Sequence, residues 1–214
     1  MLMDYLFHGI RDNLATMSYW YLILAFLSGS IPFAVIISKL KGTDIRKAGS
    51  GNPGATNVAR TLGFKYGIVV LLLDMAKAAI PAFMASKTTI YYGWIAGSLA
   101  VLGHIFSPFL KFKGGKGVAS LLGVLIAVDF PLALIFIMFF LISFMGLRYV
   151  SMSSITGAIA VAMACWVKYP VEIAIVVSSL VLIVILRHSS NIKRIIKGEE
   201  PEFKLPSKGN SGKN

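Results

Sequence analysis

The length of the apolar runs restricts the fold of this chain more than any other feature. Residues 19–37, 66–86, 90–110, 118–147, 151–167 and 171–186 are almost wholly apolar. A helix rises about 1.5 Å per residue, so about 20 such residues cross a hydrocarbon core about 30 Å thick. In lipid every backbone N–H and C=O must be satisfied within the protein, and runs of this length do so as helices. Composition agrees, since 57% of the 214 residues are hydrophobic and only 14% charged, well below the charged share of about a quarter in soluble domains. The reading is an all-α integral membrane protein. A net charge of +12 would suit nucleic acid, but the basic residues lie between the apolar runs, where lipid headgroups and phosphorylated ligands are the natural partners. The one cysteine, Cys165, excludes an internal disulfide and a cysteine metal cluster. Residues 1–17 carry Asp4, His8, Arg11 and Asp12 and lack the basic start and clean apolar centre of a signal peptide, so they read as a polar or interfacial lead-in.

Two of the runs contain breaks. Gly29, Ser30 and Pro32 predict a kink near the end of the first, and Asp129-Phe130-Pro131 divides the fourth, which is either one kinked span or two short ones. Charge decides between them. With seven spans, seventeen Lys and Arg side chains fall on one side and three (Arg11, Lys87 and Lys168) on the other; with six, the C-terminal charges change sides and the asymmetry collapses. The expectation is seven transmembrane helices, N-terminus outside and C-terminus cytoplasmic, forming one domain over residues 1–198. A polar tail, residues 199–214, is expected to be disordered. Asp74 and Lys77 interrupt the second run at a spacing that lets them pair on one helix face.

This topology gathers the polar stretches on one face. Residues 111–117, KFKGGKG, combine three lysines with Gly114, Gly115 and Gly117. Glycines let backbone N–H groups approach an anion, and a helix beginning at Val118 would add its unpaired N–H groups and dipole. Orientation in the membrane needs the charge of Lys116 but not the glycines, which favours an anion seat over a plain basic turn. It is not a Walker loop, because Gly117 stands where Ser or Thr is needed and Leu110 where the first glycine belongs. Residues 49–54 match GxGxxG, but without a strand and helix around it the match is accidental. What remains is a loop of small residues with Ser50, Gly51, Asn52, Thr56 and Asn57, followed by Arg60 as a fork for phosphate. The plainer reading of that loop is a capped re-entrant turn.

The histidines His8, His104 and His188 have no helical spacing to one another, so no metal site is expected. His104 reads as structural. His188 stands three residues before Asn191, a spacing that could orient a hydroxyl; it could equally be an interfacial histidine at a helix C-terminus. Ser151, Ser153 and Ser154 are helix caps or a hydroxyl cluster at the same mouth. No paired carboxylates and no general-base dyad are visible.

Five motifs taken together resemble the bacterial acyl-phosphate-dependent glycerol-3-phosphate acyltransferases, the PlsY family. They are GSIPF at residues 29–33, DIRKAGSGNPGATNVARTLG at 44–63, LGHIFSPFLKFKGGKGVAS at 102–120, RYVSMSSI at 148–155 and RHSSNIKR at 187–194. Ser189 departs from the basic residue often found there and receives no role. The resemblance implies an enzyme of the EC 2.3.1 type in the bacterial inner membrane, with its active site facing the cytoplasm, that moves an acyl group from acyl phosphate to the 1-hydroxyl of sn-glycerol 3-phosphate. The products are lysophosphatidic acid, for phospholipid synthesis, and phosphate. No cofactor, metal or nucleic acid is implied. The donor phosphate is assigned to residues 114–117 with Lys116, and glycerol phosphate to Ser50, Asn57, Arg60, Ser153, His188 and Asn191. His188, Asn191, Ser153 and Lys116 are the expected catalytic set.

Acyl phosphate is already activated, so positioning and charge stabilisation can carry much of the catalysis. Acyltransferases using thioesters commonly place an aspartate five residues after a histidine, whereas here Asn13, Phe109 and Lys193 stand at those positions. A donor that brings its own proton acceptor fits that absence. The competing reading is a transporter of a phosphorylated metabolite, against which count the lack of an inverted repeat and the gathering of polar residues at one face. A lipid-binding scaffold would need the charge but not the Gly-Asn loop.

Overall fold

The computed structural model describes residues 19–203. Among them are ten α-helices: α1 (Tyr19–Ser30), α2 (Phe33–Leu40), α3 (Ala55–Leu62), α4 (Phe64–Ser86), α5 (Ile90–Ile105), α6 (Val118–Val128), α7 (Phe130–Leu147), α8 (Val150–Lys168), α9 (Val171–Leu186) and α10 (Ser189–Ile196). Short 3-10 turns occupy Ile45–Lys47 and Pro108–Leu110. The expectations for His8, Arg11 and residues 204–214 lie outside the described residues.

The break between α1 and α2 falls at Pro32, which has no N–H to give the preceding turn. Carbonyls at the break are taken by side chains from elsewhere in the fold. Lys77 Nζ donates to the Ile31 carbonyl at 2.7 Å and Ser107 Oγ to the Ser30 carbonyl at 2.6 Å. Lys77 also meets Asp74 at 2.7 Å, the i, i+3 pair expected within α4. A broken helix is tolerable in lipid when neighbours satisfy the exposed backbone in this way. Glycine lets α1 and α5 touch there, since a Cβ on Gly29 would stand 1.9 Å from the Ala100 carbonyl oxygen.

Five segments are long and apolar enough to cross a membrane: Tyr19–Leu40, Phe64–Ser86, Ile90–Leu110, Phe130–Leu147 and Val150–Lys168. The pair Val171–Leu186 and Ser189–Ile196, bent by 52°, makes six if counted as one span. Residues 118–147 form two helices, and the first, α6, has only eleven residues. The break is at Asp129, whose carboxylate accepts from the Leu132 N–H at 3.3 Å to cap α7 and meets Lys168 Nζ at 2.6 Å and the Tyr169 hydroxyl at the end of α8. The far ends of α6 and α8 are therefore level. At about 1.5 Å per residue, α6 rises about 16 Å and the nineteen residues of α8 about 28 Å, so α6 begins about 12 Å below the opposite end of α8. That shortfall makes a recess, and the glycine-lysine loop forms its floor.

The main core lies where α4, α5, α6, α8 and α9 meet, around Trp94, Val101, Leu121, Leu125, Val161 and Val177. Trp94 packs edge-on to Tyr169 with ring centroids 5.6 Å apart. Large apolar side chains such as Met145, Ile142 and Leu186 are exposed around the outside, a surface suited to lipid and costly in water.

Candidate active site

A cavity of about 510 Å³ fills the recess and has two unlike ends. The polar end is lined by Ser50, Asn52, Thr56, Asn57 and Arg60 from the first loop and α3, Lys116 and Gly117 from the second loop, Ser151 and Ser154 from α8, and His188 and Asn191 from the start of α10. The apolar end is a trough of Ile68, Leu71, Leu122, Phe136, Ile137 and Phe140 between α4, α6 and α7. Four sequence stretches separated by up to about 140 residues thus meet in one place, as expected for most of the candidate residues. Gly51, Gly114, Gly115 and Ser153 are not among the lining residues.

In the first loop, Asn57 is buried and its amide is fully engaged. Its Oδ1 accepts from the Ser50 N–H at 2.9 Å, and its Nδ2 lies 3.2, 3.0 and 3.0 Å from the carbonyls of Ile45, Ala48 and Asn52. Asn57 therefore ties the loop together from inside, and the expectation that it contacts substrate directly gives way to this structural role. Gly49 and Gly51 have positive φ (58° and 71°), and a Cβ on Gly49 would stand 2.3 Å from Asn57 Oδ1. The Gly51 N–H bonds the Ala48 carbonyl at 3.0 Å. Val58 on α3 is fully buried and anchors the helix, while Arg60 reaches the cavity.

The second loop is fastened to the end of α5. The Gly114 N–H donates to the Ile105 carbonyl at 3.0 Å and the Gly115 N–H to the His104 carbonyl at 3.2 Å, satisfying carbonyls a helix C-terminus otherwise leaves unpaired. These two amides are spent, so the expected phosphate nest is not open at Gly114 and Gly115. The glycines serve close packing: a Cβ on Gly115 would be 2.2 Å from His104 Nε2, and one on Gly114 2.0 Å from the His104 carbonyl oxygen. Gly117, at φ 89°, turns the chain into α6, which starts at Val118 as expected. Val118 and Ala119 line the cavity, so the α6 N-terminus opens onto it. Lys116 is mostly buried and its Nζ donates to Asn191 Oδ1. Burial pushes its ammonium down to about 8, against the opposing pull of Glu200 and with the positive charges of Arg194, Arg60 and Arg187 adding to the depression.

His188 and Asn191 are buried, with 2% and 4% of their surface exposed. The bend between α9 and α10 carries them into the cavity, since His188 caps α10 and Asn191 lies in its first turn. His188 Nδ1 is 2.7 Å from the Val184 carbonyl oxygen, a contact that assigns the ring proton to Nδ1 and leaves Nε2 as acceptor. On α8, Ser151 and Ser154 are three residues apart and share the cavity face. Ser153 is turned away from it, fully buried, with its Oγ donating to the Tyr149 carbonyl at 2.9 Å. The expected hydroxyl at Ser153 is therefore off the cavity wall, and its neighbours stand there.

Sequence reasoning missed Glu200. The sequence alone places it in a polar tail expected to be disordered, yet it is 6% exposed, lines the cavity, and accepts hydrogen bonds from Ser151, Asn191 and Arg194. Burial works to raise its carboxyl, but the hydrogen bonds from Asn191, Ser151 and Arg194 outweigh it and hold the group below the usual range. A signal was present in the sequence: Glu199, Glu200 and Glu202 are a third of the chain's nine acidic residues and follow a strongly basic stretch.

A bundle of apolar helices whose cavity sets the cations Lys116 and Arg60 against an apolar trough suits a substrate that is anionic at one end and greasy at the other. The family model for glycerol-3-phosphate acyltransferase matches residues 19–198, and the chain belongs to that family, which makes it an enzyme. Glycerol-3-phosphate acyltransferases of Aquifex aeolicus (strain VF5) and Thermosipho melanesiensis are 45% and 44% identical to it; the alignments cover 85% and 86% of this chain and 96% and 92% of theirs. Two crystal structures of PlsY (YgiH), an integral membrane glycerol 3-phosphate acyltransferase, are similar throughout. The glycerol 3-phosphate form gives a TM-score of 0.84 at 44% identity and the lysophosphatidic acid form 0.81 at 43%, each covering 87% of this chain and 95% of the other.

Proposed function

We propose that this enzyme transfers a fatty acyl group from acyl phosphate to the 1-hydroxyl of sn-glycerol 3-phosphate, releasing lysophosphatidic acid and phosphate. The observation that carries the reading is that one cavity has Arg60 and Lys116 at one end and the Leu71-Leu122-Phe136 trough at the other. The phosphates sit at the polar end and the acyl chain lies in the trough. The glycerol oxygen attacks the acyl carbonyl carbon, the bond from that carbon to the phosphate oxygen breaks, and the departing phosphate takes the hydroxyl proton. His188 Nε2 and Asn191 hold the hydroxyl, and the charge of Lys116 offsets the negative charge that grows on the leaving group. Ser50, Asn52, Thr56 and Arg60 hold the acceptor's phosphate. Asn57, Gly51, Gly114 and Gly115 act by keeping the two loops in shape.

The chain crosses the bacterial inner membrane seven times, N-terminus outside, with the cavity at the cytoplasmic face. Supporting the seventh crossing, the bond of Asp129 to Lys168 puts the end of α6 level with that of α8. Supporting the orientation, seventeen of the Lys and Arg side chains then lie on the cytoplasmic side.

The test is initial-rate turnover of labelled glycerol 3-phosphate by purified protein with palmitoyl phosphate or palmitoyl-CoA at equal concentration. Conversion to lipid with the phosphate donor alone is expected. Comparable rates with the CoA ester would defeat the donor assignment.

A further inference from the structure

The glycine-lysine loop is fastened to α5 through its amides, and a different contact fastens it on its other side. Arg187 closes α9 at the bend that carries His188 and Asn191 into the cavity, and its Nη2 donates to the Gly114 carbonyl at 2.9 Å. Gly114 is thus held at both of its backbone polar groups, since its N–H already bonds the Ile105 carbonyl at 3.0 Å. Two residues on, Lys116 Nζ donates to Asn191 Oδ1. The segment from Gly114 to Lys116 and the segment from Arg187 to Asn191 therefore close a ring, with one hydrogen bond at each end. Arg187 itself is not among the residues lining the cavity, so it is no candidate for contact with substrate. Nor does it serve as a stabilising ion pair: among the described residues no carboxylate lies within ion-pair distance of it. Its Nε is buried without a hydrogen-bond partner among them, which costs stability. A basic residue serving only the helix dipole does as well exposed to water.

We propose that Arg187 is a positioning residue that acts through Lys116, holding the glycine-lysine loop against the α9–α10 bend so that the Lys116 ammonium stays in register with His188 and Asn191. The proposal rests on the functional reading above, in which Lys116 offsets charge on the leaving phosphate while His188 and Asn191 hold the acceptor hydroxyl. Lys116 and Asn191 are 75 residues apart in the chain, and reacting groups must keep their spacing to within about 0.5 Å. The lysine stem is flexible, so the Lys116–Asn191 bond alone does not fix where the backbone of the loop sits. The charge-assisted bond from Arg187 supplies the second fixed point, and it grips the backbone instead of a mobile side chain.

The experiment is a double-mutant cycle on turnover of labelled glycerol 3-phosphate with palmitoyl phosphate, in full-length, detergent-solubilised protein. Arg187→Met, which keeps the apolar stem but neither charge nor donors, should lower kcat about tenfold and leave KM for glycerol 3-phosphate within about twofold, because the acceptor's phosphate is held by other residues. In a Lys116→Ala background the same substitution should cost less than about twofold, since the group it positions is gone. Equal losses in the two backgrounds would overturn the proposal and leave Arg187 a structural residue. Arg187→Lys, which keeps the charge and a donor on a slightly shorter stem, carries the same comparison if Arg187→Met does not fold. It should cost less than Arg187→Met when Lys116 is present and nothing when Lys116 is absent, and a loss of the same size in both backgrounds would again overturn the proposal. Lys116→Ala alone reports on the underlying reading: unchanged turnover would remove the role of Lys116 itself, whereas additive losses remove only that of Arg187.

Discussion

The loops at residues 49–57 and 111–117 look alike in sequence, both glycine-rich and both beside a basic residue, and they are built differently. The first is held from within by one buried amide side chain, Asn57, which bonds the loop at four backbone positions. The second has no such internal tie; its own Gly114 and Gly115 amides bond to the last carbonyls of α5. In each case the glycines named purchase close packing, and the charged groups left facing the cavity are side chains, Arg60 from one region and Lys116 from the other. The comparison teaches that a glycine-lysine pattern specifies how tightly a loop can be docked and does not by itself supply amides for an anion.

The largest effect should come from Lys116→Ala. If the side chain carries the anion contact, turnover should fall about a hundredfold to a thousandfold, in the range of losing one preorganised electrostatic partner, with the protein still folded by its thermal transition. Retention of near-normal turnover would move the anion contact elsewhere. Gly115→Ala comes next and separates packing from amide donation. Its new Cβ would press on His104, so turnover should fall by tens-fold, and adding His104→Ala should recover part of that loss. A phosphate contact through the Gly115 amide predicts no such recovery.

Asn57→Ala should act mainly on stability, because Ser50 and three carbonyls lose their partner inside the protein. A cost of about 1–3 kcal/mol is expected, read as a lowered thermal midpoint together with a raised KM for glycerol 3-phosphate. A variant with unaltered stability would break the contrast between the two loops.

Protonation sharpens it further. The free Lys116 ammonium titrates at about 8, and a bound phosphate raises that value. Affinity is therefore full below pH 8 and declines as pH rises above it, until the liganded value is reached. In Lys116→Arg, whose guanidinium stays charged, binding should lose this decline even if turnover is impaired. The smallest effect belongs to Ser153→Ala, which removes only a bond to the Tyr149 carbonyl within α8; its kinetics should change less than those of Ser151→Ala or Ser154→Ala.

Much of the fold was legible because it depends on local chemistry. Pro32 stands at a helix break and Asp129 caps the start of α7, the Asp74–Lys77 spacing pairs the two charges on one helix face, and Val118 begins a helix after Gly117. The charge pattern predicts seven spans, whereas α6, with eleven residues, is too short to be counted by length and apolarity. Within the site, residue types and neighbourhoods were legible but directions were not. Ser153 turns inward while Ser151 and Ser154 face the cavity, a matter of helix rotation set by packing against α7 and α9. The amides of Gly114 and Gly115 were unreadable for the same reason, since their partners lie in a helix that ends about ten residues earlier. Glu200 lay in a stretch whose polarity imitates disorder, and only its partners on α8 and α10 explain why it is ordered.

The most direct test is a crystal structure of the protein soaked with orthovanadate, a phosphate analogue. The vanadate should lie within hydrogen-bonding distance of the Lys116 ammonium and the Arg60 guanidinium, with the Gly114 and Gly115 amides still bonded to the Ile105 and His104 carbonyls. Vanadate held by the Gly114 and Gly115 amides, with those carbonyl bonds broken, would contradict the division between side chains that bind and glycines that pack.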